Sequence, residues 1–241
     1  MKDNEGIYQT LQESDVEKDL GLHVDNRLSF HEHVNQAVSK ANRTLGLLKR
    51  TFVCRDNMII KKIYTTMVRP ILEYGNAPRI CQYAGDMDKL EKVQARATKL
   101  CAALRDLPYE DRLKALKLPS LYHRRERGDM IQTYKIMTGR DRVNQGKVLP
   151  LSNITNTRGH GFKLAKRHGR LNIRKFSFGH RVVNNWNDLP AWVFSAESVN
   201  DFKVKLDRHW IKRQYKVRPT HAESNFKRRL ERESQANEPF S

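Results

Sequence analysis

The chain is poor in cysteine, in long apolar runs and in acidic side chains. Its three cysteines, Cys54, Cys81 and Cys101, are odd in number and form no C-x-x-C pair. This usage argues against a disulfide framework and a zinc ribbon, and it indicates a reducing, intracellular compartment. No apolar run approaches the roughly 20 residues that span a bilayer, and the polar N-terminus has no signal-peptide core. We therefore expect a soluble protein without membrane contacts.

Acidic residues are few relative to basic ones. The 241 residues include 46 Lys and Arg against 27 Asp and Glu, a net charge of +19. Residues 1–21 are acidic, so the rest of the chain is more basic than this average. Such a surface favours a polyanionic partner, because each phosphate contact releases counterions and gives binding that weakens with salt. The same composition also fits a ribosomal-type or merely soluble basic protein.

Apolar spacing predicts a mainly α-helical fold that follows a short N-terminal β element. Leu20, Leu22 and Val24 alternate around Gly21, which is typical of a hairpin or short strand pair. Ser29 and Glu32 have the spacing of a capping box, and apolar residues then recur at helical spacing. The positions of that first helical stripe are Val34, Val38, Ala41, Leu45, Leu48 and Phe52.

Further helices are predicted along the rest of the chain. One begins near Asp56 and carries an apolar stripe wide enough to suggest burial on more than one side, with a kink at Pro70 and an end at Gly75. Another opens at Asp86 as its N-cap, and a third follows Ser198. Shorter helices are predicted over 110–116 and 120–137.

These elements divide the chain into five predicted segments. They are a hairpin over 1–28, a helical bundle over 29–139, a linker over 140–156, a basic helical unit over 157–215 and a disordered basic tail over 216–241. The linker prediction rests on a polar, aperiodic stretch with Gly146 and Pro150.

Two groups of cations are candidates for binding nucleic acid. The first is a ridge at three- to four-residue spacing on the predicted third helix: Lys89, Lys92, Arg96 and Lys99. The second is the run from 158 to 181, which contains no acidic residue. Its candidate residues are Arg158, Lys163, Lys166, Arg167, Arg170, Arg174 and Lys175.

Each group has an ordinary structural explanation as well. The ridge is either a track for phosphates or a solvated helix face. In the acid-free run Phe162, Phe176 and Phe178 suit base stacking beside cations, although Phe176 and Phe178 equally suit a core. Trp186, Trp192 and Trp210 are interpreted as packing residues.

Histidines suggest no metal site. His31 and His33 diverge around a helix axis, and no cysteine lies close in sequence to them or to His23. Surface or capping roles are therefore predicted for them, and we expect no metal and no cofactor in this chain.

Eight strings resemble, in the same order, the region after the palm of jockey-like and related LINE-type (non-LTR retrotransposon) reverse transcriptases. The resemblance covers roughly residues 8–210. The strings are Glu17–Gly21 (EKDLG), 47–52 (LLKRTF), 64–74 (YTTMVRPILEY), 90–99 (LEKVQARATK), 109–121 (YEDRLKALKLPSL), 124–139 (RRERGDMIQTYKIMTG), 157–164 (TRGHGFKL) and 176–190 (FSFGHRVVNNWNDLP).

The resemblance implies a role for each segment. The segment containing Asp19, Leu20 and Gly21 is similar to the hairpin that positions the primer terminus, although it is equally a turn that needs glycine. The helices up to residue 139 resemble the thumb, and the basic segment beyond 157 resembles the region that connects the thumb to the C-terminus. Partners implied are RNA or DNA, as a duplex or template-primer, bound without sequence preference.

The chain departs from the family in its carboxylates. The polymerase needs paired aspartates that hold two Mg²⁺ ions, and no Asp-Asp pair occurs here. Glu110 and Asp111 are adjacent, but a helix start explains them as capping residues. We therefore expect the C-terminal part of an RNA-directed DNA polymerase with no catalytic residues, and Mg²⁺ only in an intact enzyme. The alternatives are a basic interaction protein or a decayed element copy.

Overall fold

The structure is a computed structural model that describes residues 14–52, 56–75, 84–152, 160–166, 169–170, 174 and 176–217. This part of the chain is mainly α-helical with a two-stranded antiparallel sheet at its start, as the sequence predicts. Strand β1 (Val16–Asp19) pairs with β2 (Leu22–Asp25). Leu20 and Gly21 between them have φ values of 45° and 81°. Two left-handed residues in succession form the type I′ turn that suits the twist of a hairpin.

Helix α1 (His31–Thr51) follows the hairpin. Its stripe is buried as predicted at Val34, Ala41, Leu45 and Leu48. The predicted capping box is wrong, because the N-cap is Phe30 and Glu32 instead accepts a hydrogen bond from Gln36 Nε2 (2.6 Å). The carboxylate of Asp25 accepts hydrogen bonds from the N–H groups of Ser29 (2.9 Å) and Phe30 (2.8 Å), and it organises this helix start in place of the box.

Helix α2 (Asn57–Ile63) begins at Asp56, whose side chain caps it as predicted. It widens into a π-helical segment (Tyr64–Val68) and continues as α3 (Arg69–Glu73), which ends before Gly75. Pro70 falls in the first turn of α3, where its missing N–H is tolerated. Residues four apart, Ile60, Tyr64, Val68 and Leu72, are all buried, because the wider π turn keeps this spacing on one side. Ile59 and Met67 are exposed, so burial on more than one side was a wrong prediction.

The first core is completed by three more helices. They are α4 (Ala84–Thr98), α5 (Tyr109–Leu116) after a 3₁₀ turn (Ala102–Leu104), and the start of α6 (Leu121–Met137). Leu90, Val93, Ala97 and Leu104 point inward as predicted. Asp86 is not the first residue of α4 but lies in its first turn, where its buried carboxylate contacts Lys89 Nζ (3.1 Å) and His31 Nδ1 (2.5 Å).

The second core lies around Trp186, Phe202 and Leu206. Its elements are α7 (Gln145–Val148), α8 (Phe178–Asn187), α9 (Ala191–Phe194) and α10 (Val199–His209). Ser198 caps α10 as predicted, accepting from Asp201 N (3.0 Å). The segment predicted as a linker contains α7 and places Leu149 in this core.

Helix α6 belongs to both cores. Leu121 packs in the first, whereas Met130, Tyr134 and Ile136 pack in the second. The chain after α10 also returns to the first core, where Ser120 N donates to Gln214 O (2.9 Å) and Tyr215 packs. None of the helices in the described ranges has the length and apolar composition that crossing a bilayer requires.

Candidate nucleic-acid interface

The hairpin tip is held against the helical part of the molecule by Tyr74. Its hydroxyl donates a hydrogen bond to Leu20 O (2.6 Å). A Cβ on Gly21 would lie 3.2 Å from the same hydroxyl oxygen, so glycine is required both by its φ and by this close approach. The Leu20 side chain is 84% exposed, and Asp19 beside it is exposed too. The three residues of the predicted primer-grip-like segment therefore form a fixed, solvent-facing turn.

A cleft of about 510 Å³ separates this hairpin from α1 and α3. Three exposed cations line it, Lys18 from β1 and Lys40 and Arg43 from α1. We call it the hairpin cleft. His33 lines it as well and is only 5% exposed, so the surface role predicted for this histidine is wrong.

The predicted ridge is exposed at all four positions, three of them on α4 and Lys99 directly after its last residue. Two of its members reach α1: Lys89 Nζ lies 2.9 Å from Asn35 Oδ1, and Arg96 Nη1 lies 3.1 Å from Asn42 Oδ1. The partners are seven residues apart on both helices, so α1 and α4 run side by side in the same direction. Lys92 and Lys99 lie within one turn of Arg96.

A groove of about 400 Å³ follows the junction of these two helices. Asn42, Gly46 and Lys49 line its α1 side, and Arg96 and Leu100 line its α4 side. Four exposed cations lie in and beside this groove, and we call them the groove cations. They are Lys49, Lys92, Arg96 and Lys99. Because successive helical residues turn by about 100°, the groove and the hairpin cleft lie on opposite flanks of α1.

Two of the three carboxylates of α4 are buried away from the groove cations. Glu91 is buried and accepts hydrogen bonds from Tyr109 Oη (2.6 Å) and Leu121 N (3.0 Å). Burial raises the pKa of its carboxyl group, against the effect of those hydrogen bonds. Asp86 is also buried, and the partly exposed Asp88 lies a turn before Lys92. The sequence has no acidic residue over 33–52 or 92–105.

The structure describes four of the seven candidate cations of the second unit. Lys166, Arg170 and Arg174 are exposed and Lys163 is partly so. Arg158, Arg167 and Lys175 lie outside the described residues. Arg174 lines a cleft of about 490 Å³ together with Lys147 and His180.

One cation of the acid-free run, Arg181, has a counter-charge in the structure. Arg181 forms a two-pronged ion pair with Asp129 of α6, with both N–O distances 2.8 Å. Because the run itself contains no acid, this counter-charge comes from 52 positions away in the sequence. Phe178 packs against the second core, Phe176 is partly buried, and Phe162 is 54% exposed.

The segment from 160 to 164 is fixed to the end of α8. Trp186 Nε1 donates to Phe162 O (2.9 Å), and Asn187 donates to and accepts from the backbone of Leu164. Ser152 N donates to Lys163 O (2.8 Å) on the other side. These contacts give Phe162 and Lys163 fixed positions.

Other polar clusters in the described ranges have structural partners. Asp111 pairs with Lys114 Nζ (2.9 Å), and Glu110 Oε1 accepts from Val217 N (3.4 Å). Among the residues that the structure describes, no group of three or more His, Cys, Asp or Glu side chains is arranged to hold a metal ion.

Known family models, curated proteins and solved structures give no match to this chain. The charge and geometry of the chain and the order of its sequence motifs are therefore the grounds for assigning it a function.

Sequence reasoning missed three groups of exposed side chains. Lys40 and Arg43 of the cleft and Lys49 of the groove were passed over, although the acid-free stretch 33–52 signals them. The packing role predicted for Trp192 leaves out that this residue is 42% exposed. Its spacing with apolar neighbours hides this, because a short helix such as α9 leaves one side open.

Proposed function

We propose that this chain binds the phosphate backbone of nucleic acid, without sequence preference, as the template-primer-binding part of a LINE-type reverse transcriptase. The α1–α4 groove is the main contact surface, and the hairpin cleft is a second one on the other flank of α1. Backbone contacts of this kind set position and affinity and carry no base information.

One observation carries this proposal: two acid-free helix segments lie side by side. Because α1 and α4 run in the same direction, with Asn35 beside Lys89 and Asn42 beside Arg96, the acid-free stretch that begins at 92 lies beside the acid-free stretch 33–52. Glu32 and Asp88 lie towards the N-terminal end of the pair. The positive potential is therefore concentrated over the groove, where the binding of an anionic strand is most favourable.

The family resemblance supports the same surface. Strings 47–52 and 90–99, which resemble the thumb of these reverse transcriptases, supply all four groove cations. The string containing Asp19, Leu20 and Gly21 supplies the turn at the mouth of the hairpin cleft. The motifs and the cation-rich surfaces thus coincide, although each was identified on different grounds.

The test is the salt dependence of binding. We expect a fluorescently labelled RNA–DNA duplex to bind at low salt, with the logarithm of affinity falling linearly against the logarithm of salt concentration. Replacing Lys92, Arg96 and Lys99 together by Gln should reduce that slope by about 2 to 3, since each lost phosphate contact removes roughly 0.9. Duplexes of unrelated sequence should behave alike.

A matched variant controls for the loss of charge. Lys62→Gln, Lys114→Gln and Arg142→Gln together remove three exposed cations outside the groove. This variant should keep most of the original slope. No binding at low salt, or equal slopes for both triple variants, contradicts the proposal, and the former outcome favours an acidic protein partner or a decayed copy.

We expect no DNA synthesis from the chain alone. Its sequence lacks the paired aspartates that would hold two Mg²⁺ ions beside a primer 3′-hydroxyl. A primed RNA template with Mg²⁺ and nucleotides should not be extended above a heat-inactivated control, and extension above it would contradict this expectation.

A further inference from the structure

One of the three tryptophans differs from the others in its environment. Trp186 and Trp210 are 0% and 3% exposed in the second core, whereas Trp192 on α9 is 42% exposed. A large aromatic ring that is 42% exposed gives up a substantial part of the free energy that its full burial would supply. The core of the second unit is therefore complete without the outer part of this ring.

The exposed ring is framed by two side chains of α10. The Arg208 guanidinium carbon lies 6.0 Å from the Trp192 ring centroid, and the His209 ring meets it edge-on at 6.0 Å and 83°. The backbone of Trp192 is fixed too, because its carbonyl accepts from Ser195 Oγ (2.8 Å), which Lys205 Nζ contacts in turn (3.1 Å). The ring is thus an oriented surface rather than a free side chain.

The segment that carries both side chains framing this ring is rich in cations, of which Lys205 is paired with Asp201 (3.0 Å). Residues 203–216 contain six basic side chains and one acidic one, Asp207. Asp207 is already neutralised by a two-pronged ion pair with Arg127 of α6 (2.5 and 2.8 Å). A partner that contacts Trp192 therefore also contacts a positively charged surface. Such a surface favours an anionic nucleic-acid strand over an apolar peptide that carries few acidic residues.

We propose that Trp192 is a stacking platform for an unpaired base of single-stranded nucleic acid, with Arg208 holding an adjacent phosphate. An exposed ring beside a guanidinium offers the two contacts that such strands use, since every base has a π face and every nucleotide a phosphate. The inference rests on the proposed nucleic-acid binding but adds a different site and a different strand type. Bases inside a duplex are stacked on both faces, so the interior of a duplex does not use this platform.

The three tryptophans make the test specific, because Trp192 is the exposed one. We expect a single-stranded oligouridine to quench the fluorescence of the whole chain, and an abasic oligonucleotide of equal length to bind without this quenching. In Trp192→Phe the quenching should vanish while affinity stays within a few-fold. In Trp192→Leu, affinity for oligouridine should fall about tenfold or more, to that of the abasic strand.

Val204→Ala is the matched control, since Val204 is 67% exposed on the same helix α10 and should leave affinity and quenching unchanged. Equal affinity of Trp192→Leu and the unaltered chain for oligouridine overturns the stacking platform, even when duplex binding and its salt slope are as proposed. Failure of every nucleic acid to bind at low salt overturns both proposals. Circular dichroism confirms that each variant is folded.

Discussion

Buried ionisable side chains decide how much charge the surface of this molecule presents. Glu91 and Asp86 belong to the same helix as the groove cations Lys92 and Arg96, yet both are turned into the protein. Glu91 is satisfied there by Tyr109 and the first backbone N–H groups of α6. Because both carboxylates point inward, the exposed side of α4 carries more net positive charge than the composition of the helix suggests.

His123 is a second buried ionisable group, and its environment keeps it neutral. It packs edge-on against Trp210, with ring centroids 5.8 Å apart. Burial lowers its pKa from 6.5 to about 4, and Arg127, Arg124 and Arg213 add to this while Asp207 opposes it. Protonation is therefore easier in the unfolded chain than in the folded protein.

We expect the folded state to lose stability through His123 as pH falls from 6.5 towards 4. In this range the unfolded chain binds the proton and the folded protein does not, so the free energy of unfolding decreases, by no more than about 3 kcal/mol. Urea unfolding of the unaltered chain and of His123→Phe, at pH 7 and pH 4.5, measures the difference. A pH effect of equal size in both proteins contradicts this role.

Single residues were predictable from sequence where a local period defines them. Val34, Ala41, Leu90 and Val93 are buried as their spacing predicts. The partners of charged residues were not predictable in this way. Asp129 lies 52 positions from Arg181 and Asp207 lies 80 from Arg127, and no local pattern reports such contacts.

At the scale of elements, the junction between the hairpin and α1 depends on one carboxylate. Asp25 accepts hydrogen bonds from Arg27 N (3.0 Å), Ser29 N (2.9 Å), Ser29 Oγ (2.7 Å) and Phe30 N (2.8 Å). Partial burial opposes this, but the bonds lower the pKa of Asp25. Leu28 and Phe30 in the same turn have φ of 51° and 58°, a costly conformation for residues with side chains.

We expect Asp25→Ala to destabilise this junction by about 2 kcal/mol, at the upper end for the loss of a helix cap, because strained residues also lose their support. Asp25→Asn keeps one acceptor oxygen and should lose about half as much. Thermal unfolding followed by circular dichroism measures both. Asp15→Ala removes an exposed carboxylate that bonds only Asn26 Nδ2 (3.1 Å) in the described contacts, and it should change stability less.

The elements themselves were largely predictable, whereas their starts and irregularities were not. Asp56 and Ser198 cap their helices as expected, since these caps use local bonds. The capping role of Asp25 was missed because it acts from the preceding strand. The π segment at Tyr64–Val68 was missed as well, since a wide apolar stripe does not reveal how many residues each turn contains.

At the scale of the whole molecule, the two cores share α6. One end of this helix is held in the first core by Leu121 and by the cap at Ser120, and the other contributes Met130, Tyr134 and Ile136 to the second. The chain after α10 adds a second connection through Ser120 and Gln214. The sequence predicts two units separated at 140–156, because a polar stretch is typical of a domain boundary. That pattern does not reveal that the preceding helix, α6, packs in both cores.

The shared helix predicts that both cores unfold together. All three tryptophans lie in the second unit, so their fluorescence reports that unit, whereas circular dichroism reports the helices of both. Leu113→Ala removes a fully buried side chain from the first core and should cost about 2 to 5 kcal/mol. We expect this change to lower the urea midpoint measured by tryptophan fluorescence as much as the midpoint measured by circular dichroism. Phe202→Ala in the second core should likewise shift both signals together. A tryptophan transition that stays in place in Leu113→Ala would show instead that the two units unfold independently.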